Sequence, residues 1–346
     1  MHVVFFTEGS HRSGMGHLLR CLALAQTLKA RNHKVTFVLD PASTELANSR
    51  MDWVGDIATV IQNFTPITWD ELSLYSFATI DWVIIDSYGV HDSFFSSARQ
   101  FSGKIALFDD LTYEKFDCID VLINSAIEPD ESAYYYQNND SVFLALGCDY
   151  LLLRAEFTSV EPIPIVQREY VTICFGGADL DNLTVKALRL LSKNWDVQKI
   201  RVVTGPAYSH LDELEEMLKR LNDNRIVHQH NVQNMASIWN SSRLVVSAGG
   251  GAQFELKACH TPAILVVVAE NQKVASMNSQ AHGWCRTLIY EGNKAIFWAQ
   301  LTDLYASLVG DEDCLLGMQK MAAKNTLSNG AARLSRLLET EQIEKD

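Results

Sequence analysis

The chain has 346 residues, 47% hydrophobic and 21% charged, with 29 basic against 42 acidic side chains and a formal charge of −13. That length suits two domains rather than one small core. The acidic balance, without a basic stripe or arginine run, excludes a nucleic-acid partner from the expectations.

The opening MHVVFFTEGS has neither the basic flank nor the apolar run of a signal peptide. HVVFFT reads as a strand. After the turn SGMGH, a helix follows from Gly16 to Arg31, with Leu18, Leu22, Ala25 and Leu28 on one face. KVTFVLD is the next strand. TIDWVIIDSYG (79–89) ends in a nearly continuous apolar strand of the kind covered on both faces. GKIALFDD and DCIDVLIN follow. RAEFTSVEPIPIVQRE (154–169), with Pro162 and Pro164, reads as an interdomain linker.

Alternation then restarts. YVTICFGG, KIRVVTG, RIVHQH, RLVVSAGGG and PAILVVVAENQ read as strands, with helices from about 181 and 209, at MASIWN and through FELKACH. AILVVVA (263–269) is strand-sized, so no membrane insertion is expected. Residues 273–341 read as mainly helical. Cys21, Cys118, Cys148, Cys174, Cys259, Cys285 and Cys314 are odd in number and form no CxxC pair. They read as reduced, buried thiols of a cytoplasmic protein. The oligomeric state stays open.

Two βαβ arrays in tandem predict an α/β protein with parallel sheets and right-handed crossovers. The expected domains are 1–155 and 156–346, with a ligand cleft between their strand C-terminal edges. Polar residues gather at those edges: Glu8, Asp86 with Tyr88, and Asp109 with Asp110 in the first array. The second array has GGAD (176–179), TG (204–205), SAGGG (247–251) and ENQ (270–272).

SAGGG followed by AQFELKAC is a candidate phosphate cradle. Its glycines let amides approach an anion, and Glu255 could accept from a ribose diol. The alternative is a tight turn with a solvated Glu255. A second pair, Gly176–Gly177, ending another strand favours the functional reading. There is no GxGxxG with a downstream acid and no GxxxxGK[ST], so no nucleotide cofactor is expected.

His17 sits in the first turn of its helix, where the dipole disfavours imidazolium, and so suits a general base. The alternative is a histidine that only bonds its turn or a neighbouring carboxylate. Gly14 and Gly16 open space around it. His228 and His230 in RIVHQH have the look of a metal pair but lack a third ligand, and read as structural. Without HExxH, zinc spacing or an EF-hand loop, no metal is expected.

GMGHLLRCLALAQTL, IIDSYG (84–89), LFDD (107–110), DVLIN (120–124), CFGGADLDNLT (174–184) and SAGGGAQFELKACHTPAILVVVAENQ (247–272) together resemble the nucleotide-sugar hydrolases of pseudaminic acid biosynthesis. Those are relatives of MurG-type glycosyltransferases, and the resemblance covers most of residues 1–290. It implies a GT-B-like fold of two Rossmann-like domains facing a cleft. It also implies inverting, metal-independent hydrolysis of the C1–O bond of a UDP-linked 2,4-diacetamido-2,4,6-trideoxy sugar.

On the matching positions, His17 activates water, Tyr88 lies by the sugar and Asn271 lies near the catalytic groups. Gly249, Gly250 and Glu255 hold UDP. Gly14, Gly16, Arg20, Asp86, Gly176, Gly177 and Gln272 complete the expected substrate contacts. The chain departs from the family at Phe6 and Glu8, where an Arg and an Asp are common. It departs again at Gly251 and Ala252, where hydroxyl residues are common. The alternatives are a glycosyltransferase, whose base would deprotonate an acceptor hydroxyl, and a non-catalytic binding protein, which would not need His17.

Overall fold

A parallel strand covered on both faces has no solvent side, and β1 (His2–Thr7) is buried along its whole length. The computed structural model describes residues 1–9, 16–39, 43, 59–61, 79–87, 92–110, 118–125, 142–194, 196–197, 199–324 and 329–340. The chain divides into two units, 1–155 with 327–346, and 156–326.

In the first unit β1 leads to α1 (Gly16–Ala30), β2 (Lys34–Val38), β3 (Thr59–Ile61), β4 (Ile80–Asp86) and α2 (Asp92–Phe101). β5 (Ser102–Phe108), β6 (Val121–Asn124) and β7 (Phe143–Leu146) follow. The sheet runs β3-β2-β1-β4-β5-β6-β7, and its pairings are parallel. Helix α1 buries Leu18, Leu22, Ala25 and Leu28, the stripe that its periodicity predicts, and Cys21 as well. Phe6, at a position where the resembled family often has an arginine, is a core residue, edge-on to Phe94 at 5.2 Å.

After α3 (Ala155–Thr158), the second unit contains β8 (Tyr170–Cys174), α4 (Leu183–Leu191), β9 (Ile200–Thr204), α5 (Leu211–Leu221) and β10 (Ile226–His230). It continues through α6 (Met235–Asn240), β11 (Ser242–Ala248), α7 (Ala252–Ala258), β12 (Ala263–Val267), α8 (Lys273–Ala281), β13 (Cys285–Ile289), α9 (Lys294–Val309) and α10 (Glu312–Ala323). Its sheet order is β10-β9-β8-β11-β12-β13, again parallel. Both sheets are therefore α/β and Rossmann-like. Strand order reverses between β1 and β4 and between β8 and β11, which opens a crevice at the carboxyl ends of those strands.

The last helix, α11 (Gly330–Glu339), departs from the expected 156–346 domain, because it belongs to the first unit. Trp82 Nε1 donates to Leu338 O at 2.9 Å, and Arg31 and His33 grip Glu339. The stretch 273–341 also contains β13, which was not expected. All seven cysteines are free, but Cys118 and Cys314 are only half-buried and Cys148 is exposed, against the expectation of buried thiols. Among the described residues, no helix is long and apolar enough to cross a membrane.

Candidate functional site

The reversal point of the first sheet brings Thr7, the last residue of β1, beside Asp86, the last residue of β4. Helix α1 starts soon after β1 and directs its first turn at the same place. His17 Nδ1 lies 2.5 Å from Asp86 Oδ1. Arg20, one turn further on, donates through Nε to Asp86 Oδ2 and through Nη2 to Asp86 Oδ1, each at 2.5 Å. The same guanidinium reaches Asp110 Oδ1 at 3.0 Å and Oδ2 at 2.9 Å, and lies 4.7 Å from the centre of the Phe108 ring. The Cys21 thiol faces Asp86 Oδ2 at 3.5 Å.

Asp86 has no exposed surface. Burial by itself would raise its carboxyl. The charge of Arg20 and the hydrogen bonds from Arg20 and His17 outweigh burial and hold it well below the usual carboxylate range. Burial and the adjacent Asp86 push the Cys21 thiol well up, so it is a neutral donor. An ionised carboxylate can only accept, so the proton of a neutral His17 sits on Nδ1 and its lone pair on Nε2. That tautomer can take a proton from a substrate or a water.

Asp86 and Arg20, expected as substrate contacts, bind each other and His17. Asp110, noted only as a strand-end acid, joins them. One ring nitrogen of His17 does what the plainer alternative required, bonding a carboxylate. Gly16 opens α1, and Glu8 is half-buried after β1. Gly14 and Tyr88 lie outside the described residues.

In the second unit the loop after β11 is held from behind. The amide of Gly249 donates to Val266 O in the sheet at 2.8 Å. Its carbonyl accepts from Gln253 Nε2 at 2.7 Å and Ser276 Oγ at 3.3 Å, and Ser279 Oγ fixes Gln253 Oε1 at 2.9 Å. A Cβ on Gly249 would collide with Ser276 Oγ, so any larger residue displaces the hydroxyl that bonds the Gly249 carbonyl or shifts the loop. Gly249 therefore does not supply a phosphate donor as expected. Because its carbonyl is turned inward, the N–H of Gly250 across the same trans peptide points the opposite way.

The side-chain amide of Gln272 lies beside Gly250, within 3.7 Å of where a Cβ would stand, and its Oε1 accepts from Val268 N at 3.0 Å. Asn271 is exposed just ahead of it. Glu255 Oε2 accepts from the indole of buried Trp239 at 3.0 Å. Gly176 turns the chain after β8 at φ 86°. Gly177 accepts from Ala207 N at 3.1 Å, and a Cβ on Gly205 would stand 2.5 Å from Gly177 Cα.

The structure thus joins Gly249, Gly250 and Gln272 in one place. It adds Gln253, from the AQFELKAC stretch, and Ser276, Ser279 and Trp239, which had no motif to announce them. Asp179 of GGAD caps α4, accepting from the amides of Leu183 and Thr184, both at 2.8 Å. His228 Nε2 and His230 Nδ1 share the hydroxyl of Thr204, at 2.8 and 3.0 Å, which accounts for the pair structurally.

Residues 171–282 match the model of the glycosyltransferase family 28 C-terminal domain. An uncharacterized protein of Methanocaldococcus jannaschii is 28% identical over 292 residues, covering 79% of this chain; the chain spans 57% of that protein's length. The UDP-2,4-diacetamido-2,4,6-trideoxy-beta-L-altropyranose hydrolase of Campylobacter jejuni is 26% identical over 250 residues, covering 72% of this chain and 85% of that one. The crystal structure of MurG from Acinetobacter baumannii covers 98% of this chain and 99% of its own, at 13% identity and a TM-score of 0.64. The resemblance carried by GMGHLLRCLALAQTL is met again at both levels: the chain is similar to a nucleotide-sugar hydrolase in sequence and to a MurG-type glycosyltransferase in fold.

Proposed function

We propose that the chain hydrolyses a UDP-linked 2,4-diacetamido-2,4,6-trideoxy sugar, with His17 as the base. The observation that carries this reading is the 2.5 Å contact from His17 Nδ1 to the Asp86 carboxylate, which leaves Nε2 basic. Nε2 takes a proton from water as the water oxygen attacks C1. The C1–O bond breaks, and UDP leaves with the electron pair. A single displacement inverts the anomeric centre. Asp86 stabilises the imidazolium that forms.

UDP is a good leaving group and needs donors more than a strong acid. The outward amide of Gly250 and the side chain of Gln272 supply them in this proposal, and no metal is assigned. Glu255, steadied by Trp239, takes the ribose diol. Gly176 and Gly177 leave room for the nucleotide. Tyr88 and Asn271 are assigned to the sugar on the resemblance alone.

The match to a glycosyltransferase domain over residues 171–282 supports a second reading, transfer to an acceptor by the same base. One experiment separates the two. Purified protein is incubated with the UDP-linked diacetamido-trideoxy-altrose, without metal or acceptor, and UDP release is followed by proton NMR beside His17→Ala. Release of the inverted free sugar that disappears in the variant supports hydrolysis. UDP binding without release overturns it, and points to transfer if an added acceptor then triggers release.

A further inference from the structure

We propose that Arg20 is a positioning residue of the base: it takes up the charge of the Asp86 carboxylate, so that His17 keeps a lone pair on Nε2 instead of becoming a buried imidazolium. The inference rests on the reading of His17 as the base. A lone buried carboxylate 2.5 Å from an imidazole would draw a second proton onto the ring. The product would be an ion pair with both ring nitrogens protonated, which is useless for accepting a proton.

The geometry prevents this. Arg20 covers both oxygens of Asp86 at 2.5 Å, and its Nη2 stands 3.4 Å from His17 Nδ1. A cation that close opposes a positive ring directly and also shares the charge that would attract the proton. Asp110 holds the far side of the guanidinium at 2.9 and 3.0 Å, and its Cζ stands over the Phe108 ring at 4.7 Å, which together restrict its orientation.

Among the described residues, the other titratable groups on the surrounding elements do not replace Arg20. Cys21 on α1 is a neutral thiol. Glu8 after β1 and Asp109 after β5 are acids, and Lys34 opens β2 at the opposite end of the sheet from Asp86. On α11, Glu339 is engaged by Arg31 and His33 at the far end of α1.

The test is an NMR titration of the His17 ring in the free full-length protein, independent of turnover. Spectra are recorded for wild type, Arg20→Met, Arg20→Lys, Asp86→Asn and the double variant Arg20→Met/Asp86→Asn. Arg20→Met is expected to move the ring's titration upward by about one pH unit or more. Arg20→Lys, which keeps the charge, stays near wild type. In the Asp86→Asn background, removing Arg20 moves the titration by clearly less, because the carboxylate through which it acts is gone. The double variant removes both charges together, so it remains informative if Arg20→Met alone does not fold.

If His17 is the base, the acidic limb of the kcat profile follows the ring in Arg20→Met, and activity returns at higher pH. An unchanged ring titration in Arg20→Met, or an equal shift with and without Asp86, overturns the proposal. A shifted ring whose activity profile does not follow would leave this role of Arg20 standing and overturn His17 as the base.

Discussion

His17 Nδ1 and Asp86 Oδ1 stand 2.5 Å apart at the point where the first sheet reverses its strand order, although 69 residues separate them. The consequence is a tautomer. In Asp86→Asn the charge beside His17 is lost, and because Arg20 Nε and Nη2 bond different oxygens, one of them meets the amide NH2 whichever way the amide turns. The anchor that keeps the proton on Nδ1 is weakened, and the imidazolium that forms when Nε2 takes a proton loses its counter-charge. The expected loss in kcat is about 10²- to 10⁴-fold with little change in KM. Steady-state kinetics on the UDP-sugar check this, and full kcat in the variant would remove the pair from the mechanism.

Gly249→Ala drives a methyl group into Ser276 Oγ. Either the Ser276 hydroxyl turns out of its bond to the Gly249 carbonyl or the loop shifts, at an expected cost of about 1–3 kcal/mol. The inward carbonyl moves with it, so UDP binding should weaken by about tenfold or more, since each 1.4 kcal/mol is a decade. Ser276→Ala removes the atom in the way. In that background the cost should shrink, a coupling that urea melts and calorimetric UDP titrations of the four proteins would measure. Additive costs would mean that the two residues do not meet as described.

How far the fold was legible follows from where each strand lies in its sheet. VVFF, WVII, LVV and AILVV lie in central strands, and burial on both faces makes them apolar throughout. TVI, FLAL and CRTLI, which carry weaker patterns, each form a sheet edge: β3, β7 and β13. An edge strand is short and covered on fewer sides, so its composition carries less signal. The site divides in a similar way. His17, Gly249 and Glu255 sit beside glycine motifs that draw the eye. Asp86, Arg20 and Asp110 could each be placed at a strand end or helix turn, but not paired, because pairing depends on three-dimensional register. Ser276, Ser279 and Trp239 lie on ordinary helices.

Arg168 is 3% exposed and has no carboxylate among its hydrogen-bond partners. Its guanidinium donates to the carbonyls of Ile163, Ser242 and Cys259 and to Thr261 Oγ1, at 2.7, 3.2, 2.9 and 2.7 Å. Burial lowers its pKa to about 10, which still leaves it charged at neutral pH. Arg168→Met would strand these acceptors, so the second unit should lose about 3 kcal/mol. Lysine should rescue little, since one ammonium cannot span the fork. Urea denaturation checks both variants, and a wild-type midpoint for Arg168→Met would refute the role of this hub.

Glu339 ties α11 to the end of α1. Arg31 donates to both its oxygens at 2.6 and 2.5 Å, and His33 Nε2 lies 2.7 Å from Oε1. The hydrogen bonds from Arg31 and His33 lower its pKa from 4.5 to about 2. A carboxyl depressed on folding adds stability above its unfolded value, and loses that contribution as pH falls through the folded one. The Glu339 contribution is therefore complete above pH 4.5 and disappears between pH 4.5 and about 2. Solvent reaches the pair, so the full effect is held to about 1 kcal/mol. Thermal melts of wild type and Glu339→Gln should differ at pH 7 and draw together below pH 4.5. A difference that stays constant across that range would show that Glu339 holds α11 by packing rather than by charge.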